Sequence, residues 1–298
     1  MNRQDIEFKV DTGVIRGWFY LPDETRETVP SPCIVMAHGY AATKDMGLDR
    51  FARSFAGAGF AVLVFDYQGL GASTGLTRQH IDPFRQVDDY RHAITYATSR
   101  PEVDRNRIGV WGTSYSGGHV LMLAATDKRV KCVVSQVPTI SGSKAFKRRM
   151  TPDSAQVLEA AFAQERLDLL DGKPATMRTL VSTQAADNPV YSHPDAVAWY
   201  LDQGKQSPTW VNGVTLQSME LFRAYEPGCY IGEISPAPLL IVVAENDQIT
   251  PTDLALEAYE AAGLPKKLVT IPGGHFTPYD ESFPEASKAA CAWFTEHL

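Results

Sequence analysis

Apolar and polar residues change period several times along this chain, and the changes mark its elements. "IEFKV" and "VIRGWFYLP" flank "DTG", two strand-like runs about a glycine turn, which predicts a hairpin. A short apolar run, "PCIVMAHG", follows and ends at Gly39. Residues 47–58 place Leu48, Phe51, Phe55 and Ala58 on one helical face. "FAVLVFD" reads as a buried strand, "YQGLGASTG" as a glycine-rich loop, and residues 83–98 as a helix with Phe84, Val87, Tyr90 or Arg91, and Ile94 along one stripe. "RIGVWG", "GGHVLMLAAT" and "VKCVVSQ" then read as strand, helix and strand. From about 32 to 137 strand and helix alternate, and the strands are continuous apolar runs. Strands of that kind are covered on both faces, which predicts an α/β fold with a mostly parallel central sheet flanked by helices.

The alternation stops at residue 141. Residues 141–232 contain one strong helix pattern, "DSAQVLEAAFAQERLDLLDG", then scattered prolines and aromatics, with no clear buried strand. It resumes with "PAPLLIVVA", a helix over 252–262, "KKLVTIPG" and a helix near 283–297. We therefore expect a core formed by 1–140 and 233–298, with 141–232 as a helical cap or lid inserted between two core strands.

Candidate chemistry gathers where strands end. "GVWGTSYSGGHV" places Ser114 and Ser116 in a strand–tight turn–helix context. A serine hydroxyl needs a base, an acid to orient the base, and N–H donors for the oxyanion before it becomes a nucleophile. An elbow of this kind lifts a hydroxyl clear of a sheet with a helix N-terminus behind it. "MAHGY" ends an early strand and offers the Tyr40 N–H as an oxyanion donor. "LLIVVAENDQITP" puts Asp247 at a strand's C-terminal edge, where ligands bind in open α/β sheets, with Glu245 as its competitor. Asp247 could alternatively cap the helix that starts near 252. "TIPGGHFTPY" puts His275 after the next strand, behind two glycines, and none of the other six histidines follows a late core strand.

The order Ser, Asp, His along the chain, with the "HGY", "FDYQGLGASTG", "GTSYSGG", "AENDQITP" and "GGHF" loops, resembles the α/β-hydrolase-fold serine hydrolases. The serine–tyrosine pair also resembles the prolyl-peptidase-like and cocaine-esterase-like branches locally. The resemblance spans both core segments and not the cap. It implies a Ser114–His275–Asp247 triad, an oxyanion hole from the Tyr40 and Tyr115 N–H groups, and acyl transfer to water through an acyl-enzyme. Two positions depart from the family pattern: Ser116 stands where a glycine is usual, and Gln68 where the loop after the fourth strand often has arginine. The first departure keeps Ser116 as a rival, although Gly117 and Gly118 behind it favour the first helical turn for Ser116 and the nucleophile role for Ser114.

Composition narrows the partners. The 298 residues are 44% hydrophobic and 21% charged, enough for a sizeable core, with a net charge of −7. That balance disfavours nucleic acid and anionic membrane surfaces and points to a small-molecule substrate; oligomeric state is left open, a homodimer included. The four scattered cysteines predict reduced thiols and a cytoplasmic protein. The N-terminal stretch has no apolar segment of the secretory kind, and no apolar run reaches 18 residues. No cofactor and no metal are expected, since no His/Cys/carboxylate cluster has ligand spacing. The cap aromatics Trp199, Tyr200, Trp210, Phe222 and Tyr225 are expected to line a pocket, some of them at least. The basic run Lys144, Lys147, Arg148, Arg149 is expected to be a solvated face, with attraction of a carboxylate-bearing substrate as the alternative. The expected activity is hydrolysis of a small to medium, apolar-leaning carboxylic ester. Hydrolysis of amides, thioesters or C–C bonds by the same triad is the alternative, and an inactive binding protein is a third reading.

Overall fold

The computed structural model describes residues 2–22 and 29–298. Strands β1 (Asn2–Val10) and β2 (Gly13–Leu21) form the hairpin, in register from Asn2 opposite Leu21 to Val10 opposite Gly13. They continue into β3 (Ser31–Ala37), α1 (Leu48–Gly57), β4 (Ala61–Phe65), α2 (Pro83–Ser99), β5 (Val103–Thr113), α3 (Tyr115–Thr126) and β6 (Val130–Gln136). After a mainly helical segment, β9 (Leu239–Ala244), α8 (Thr252–Ala261), β10 (Lys266–Ile271) and α9 (Phe283–His297) complete the chain.

Eight strands form one sheet in the order β1-β2-β4-β3-β5-β6-β9-β10. β1 pairs antiparallel with β2, and β2 antiparallel with β4; β4, β3, β5, β6, β9 and β10 run parallel to one another. All five residues of β4 and all six of β9 are buried, as strands covered on both faces must be. The half-exposed β10 is one edge and β1 the other. Because the parallel strands point one way, the loops carrying Gly39, Ser114, Asp247 and His275 emerge at the same edge.

The segment between β6 and β9 holds α4 (Gly142–Arg149), α5 (Pro152–Leu170), α6 (Pro194–Gly204) and α7 (Leu216–Ala224). It also holds a ladder of two residues a side, β7 (Met177–Arg178) with β8 (Val214–Thr215). The β8 residues are buried, a small strand that hydropathy patterning cannot register at such length. Its polar anchors reach the loop after β3. The Tyr200 hydroxyl donates to the Tyr40 carbonyl at 2.6 Å, and Trp210 Nε1 to the Ala41 carbonyl at 2.9 Å.

One face prediction needs correction. In α2 the buried set is Gln86, Val87, Asp89, Tyr90, Ala93, Ile94 and Ala97 with Pro83, whereas Phe84 is 52% exposed. Phe84 lies in the first turn, where the Asp82 side chain caps its N–H. It turns its ring toward Tyr225 rather than the sheet.

Candidate active site

Crowding shapes the elbow. A Cβ on Gly112 would lie 2.1 Å from the Ser116 carbonyl oxygen, and one on Gly118 2.6 Å from that of Thr139. Between them Ser114 takes φ 58°, ψ −118°, a left-handed conformation that costs a non-glycine residue about 1–3 kcal/mol. Its backbone is held from both sides: the N–H donates to Gln136 O and the carbonyl accepts from Thr139 N, each at 2.9 Å. The strain delivers the side chain to a histidine. Ser114 Oγ lies 3.0 Å from His275 Nε2, and His275 Nδ1 lies 2.7 Å from Asp247 Oδ2.

Asp247 is bound at both oxygens. Oδ1 accepts from the N–H groups of Ile249 (2.8 Å) and Thr250 (2.7 Å), so the carboxylate shapes its own turn and does not cap α8. Oδ2 faces His275 and the Thr250 hydroxyl, 2.8 Å away. That hydroxyl also lies 2.9 Å from Val137 O and 3.1 Å from His275 Nδ1. Thr250 is a part of the site that sequence reasoning missed; its signal was the Asp-x-x-Thr spacing, a common turn pattern. With Asp247 Oδ2 as its acceptor, Nδ1 is the donor nitrogen of the ring, which leaves Nε2 to accept from serine. Ser114, Asp247 and His275 are all buried.

The rivals are elsewhere. Ser116 Oγ is fully buried, bonded to the Tyr67 hydroxyl and lying 3.1 Å from that of Tyr90. A hydroxyl thus replaces the usual glycine by filling a polar niche under the elbow. Glu245 is exposed, and its N–H pairs with Ile271 O. His119 is sealed behind the elbow, with Nε2 2.9 Å from Gln86 Oε1 and Nδ1 2.8 Å from the Tyr225 hydroxyl. Burial pushes its pKa down to about 3, so the ring is neutral. Gln68, in the usual arginine position, serves buried Asp89 through its backbone N–H at 2.9 Å and its side-chain amide at 2.5 Å. Burial raises the Asp89 carboxyl to about 7, which suits a neutral amide partner better than a cation.

The loop after β3 lies against the serine. A Cβ on Gly39 would come within 2.9 Å of Ser114 Cβ, so only glycine allows this approach. Tyr40 follows, and Tyr115 is the first residue of α3, whose N–H has no acceptor one turn back in its own helix. The two rings meet edge to face at 5.1 Å.

Two cavities adjoin these residues. A chamber of about 10 Å³, room for roughly one water, touches Ser114 and His275 and is walled by Trp199, Tyr200, Phe276 and Tyr279. A larger cavity of about 760 Å³ is lined by Tyr40, Phe146, Tyr191, Met219, Phe222 and Asp247 among others. Of the expected pocket aromatics, Trp199 and Tyr200 face the chamber and Phe222 the larger cavity. Trp210 and Tyr225 line neither. Trp210 is occupied by its bond to Ala41 and stacks on Tyr200, while Tyr225 packs beneath Tyr115 and His119. Among the described residues no three His, Cys, Asp or Glu side chains are grouped to hold a metal, and no helix is long and apolar enough to cross a membrane.

A parallel sheet with a strained serine turn, a histidine loop and an acid loop at one edge defines the α/β-hydrolase class. Residues 14–277 match the X-Pro dipeptidyl-peptidase (S15) family; the chain belongs to that family and is a hydrolase of the α/β-hydrolase fold. It is similar to the quorum-quenching protein AidA of Acinetobacter baumannii, 33% identical over 92% of this chain and 88% of the relative. It is also similar to a thiohydrolase of Eupenicillium brefeldianum, 30% identical over 89% of this chain and 84% of the relative. The crystal structure of the α/β hydrolase GrgF from Penicillium sp. superposes with a TM-score of 0.84 at 25% identity, covering 100% and 99% of the two chains.

Proposed function

We propose that the protein is a serine acyl hydrolase that cleaves a small to medium, apolar-leaning carboxylic ester. The observation that carries this reading is the unbroken line from Ser114 Oγ to His275 Nε2 (3.0 Å) and from His275 Nδ1 to Asp247 Oδ2 (2.7 Å). Ser114 attacks the acyl carbon as His275 takes its proton, and Asp247 stabilises the imidazolium that forms. The oxyanion is held by the N–H groups of Tyr40 and Tyr115. His275 returns the proton to the leaving oxygen, and the acyl-enzyme is hydrolysed by water activated at the same nitrogen. Residues 141–232 act as the lid that supplies the cavity walls, and the four unpaired cysteines suit a cytoplasmic site of action.

A thioester substrate is the second reading, favoured by the thiohydrolase among the relatives. The test is labelling by a fluorophosphonate, followed by turnover of ester, thioester and amide forms of one acyl group. We expect labelling that is lost in Ser114→Ala and turnover of the ester. Thioester turnover that far exceeds ester turnover would transfer the assignment to the second reading. Absence of both labelling and turnover would overturn both.

A further inference from the structure

The basic run at the end of α4 divides. Lys144 Nζ pairs with Glu257 at 3.0 Å, and Arg148 grips Asp253 with two bonds, 2.7 and 2.6 Å. Lys147 is exposed. Arg149 alone turns to the rings of the larger cavity. Its guanidinium lies over Tyr191 (5.1 Å to the ring centroid) and Phe222 (5.7 Å), and one Nη donates to the Ile249 carbonyl. Arg149 forms no ion pair among the described residues. Both rings beneath it meet Tyr40 edge-on, at 6.0 and 5.7 Å, and Tyr40 follows the glycine that touches Ser114.

The other charges facing this cavity are Arg148 and Asp253, which satisfy each other; Asp247, held by His275 and its own turn; and Glu245. His193, also in the wall, bonds the Asp195 N–H from its ring nitrogen. A guanidinium over two aromatic faces, engaged by the Ile249 carbonyl and the Tyr191 hydroxyl, keeps further N–H donors of its five free beside the rings of a cavity that also has polar side chains in its wall. Guanidinium donors match carboxylate and phosphate oxygens.

We infer that Arg149 binds an anionic oxygen group of the substrate, a carboxylate or a phosphate, held apart from the scissile carbonyl. This rests on the acyl-hydrolase reading and adds a substrate class to it: an acyl compound with an apolar middle and one anionic end.

The test compares matched substrates. One arm sets mono-p-nitrophenyl adipate against its neutral methyl ester; the other sets an acyl-phosphopantetheine thioester against the N-acetylcysteamine thioester of the same acyl group. The first arm reports a carboxylate on the acyl side, the second a phosphate on the leaving group. In the wild type we expect kcat/KM to favour the anionic member of one pair by about tenfold or more, less so in 0.5 M salt. Arg149→Gln should abolish that preference, Arg149→Lys should keep part of it, and Glu245→Gln should enlarge it. If Arg149→Gln does not fold, the lysine variant and the salt dependence decide. Neutral substrates turned over with no anionic preference in either pair would overturn this inference alone, as would a preference that survives Arg149→Gln unchanged. Failure of fluorophosphonate labelling and of all turnover would instead overturn the acyl-hydrolase reading.

Discussion

Strain at Ser114 makes a prediction that separates stability from activity. At φ 58°, ψ −118° a side chain costs about 1–3 kcal/mol, and the bonds to Gln136 and Thr139 keep the backbone there whatever the residue. Ser114→Ala and Ser114→Gly both delete the hydroxyl that faces His275, so that loss cancels between them. Glycine removes the strain and adds about 0.4–1 kcal/mol of unfolded-state entropy. Ser114→Gly should therefore be more stable than Ser114→Ala by about 1 kcal/mol. In a chain of this size that is a rise in melting temperature of about 2 °C, and an unambiguous shift of the urea midpoint. At Ser135, in the extended β6, the same pair should order the other way, since glycine there brings only its entropy. Neither Ser114 variant should react with a fluorophosphonate. Equal stabilities, or alanine above glycine at 114, would refute the strain argument, and residual labelling would refute the nucleophile assignment.

Ser116→Ala should retain most activity while losing about 1–3 kcal/mol in chemical denaturation, because it leaves the buried Tyr67 hydroxyl without its serine partner; a dead but stable variant would reverse the roles of the two serines. Asp247→Asn should lower kcat by about three to four orders of magnitude by favouring the wrong histidine tautomer, and Glu245→Gln should leave turnover of a neutral ester within a few-fold; the reverse pattern in steady-state kinetics would move the acid. His119 keeps its proton in the folded state only below about 3, against roughly 6.5 when unfolded. The unfolded chain therefore binds the extra proton between those values, and the stability due to neutral His119 is full above pH 6.5 and falls by about 1.4 kcal/mol per unit below it. Asp89, raised to about 7, works with the opposite sign from about 4 to 7. Urea midpoints of His119→Gln should thus decline less than wild type from pH 6.5 to 4, and parallel curves would disprove this.

What the chain made legible, and what it hid, follows from how far each feature depends on local spacing. The parallel strands are readable because a strand buried on both faces must be apolar at every position, and "AVLVF" and "LLIVVA" are so without exception. The elbow is readable for a related reason: Gly112, Gly117 and Gly118 stand where any Cβ would strike backbone or a neighbouring ring, and that demand falls within one short stretch of chain. The rest depends on partners brought close by topology. Ser116 looks like a second nucleophile until Tyr67 and Tyr90, 49 and 26 residues away, reach its hydroxyl. Lys144, Arg148 and Arg149 are one undifferentiated basic run in sequence, but the first two meet carboxylates of α8 more than 100 residues on, and the third does not. The turn of α4 sets that division, placing Arg149 against Tyr191 and Phe222, which come from farther along the segment between β6 and β9. The same dependence explains the pocket aromatics. Composition marks all five as too apolar to be left in water, yet Trp210 and Tyr225 meet that requirement by bonding a backbone carbonyl and a buried histidine, away from both cavities. Hydrophobicity identifies which rings must be covered; only the three-dimensional arrangement distinguishes a ring covered by protein from one left to be covered by substrate.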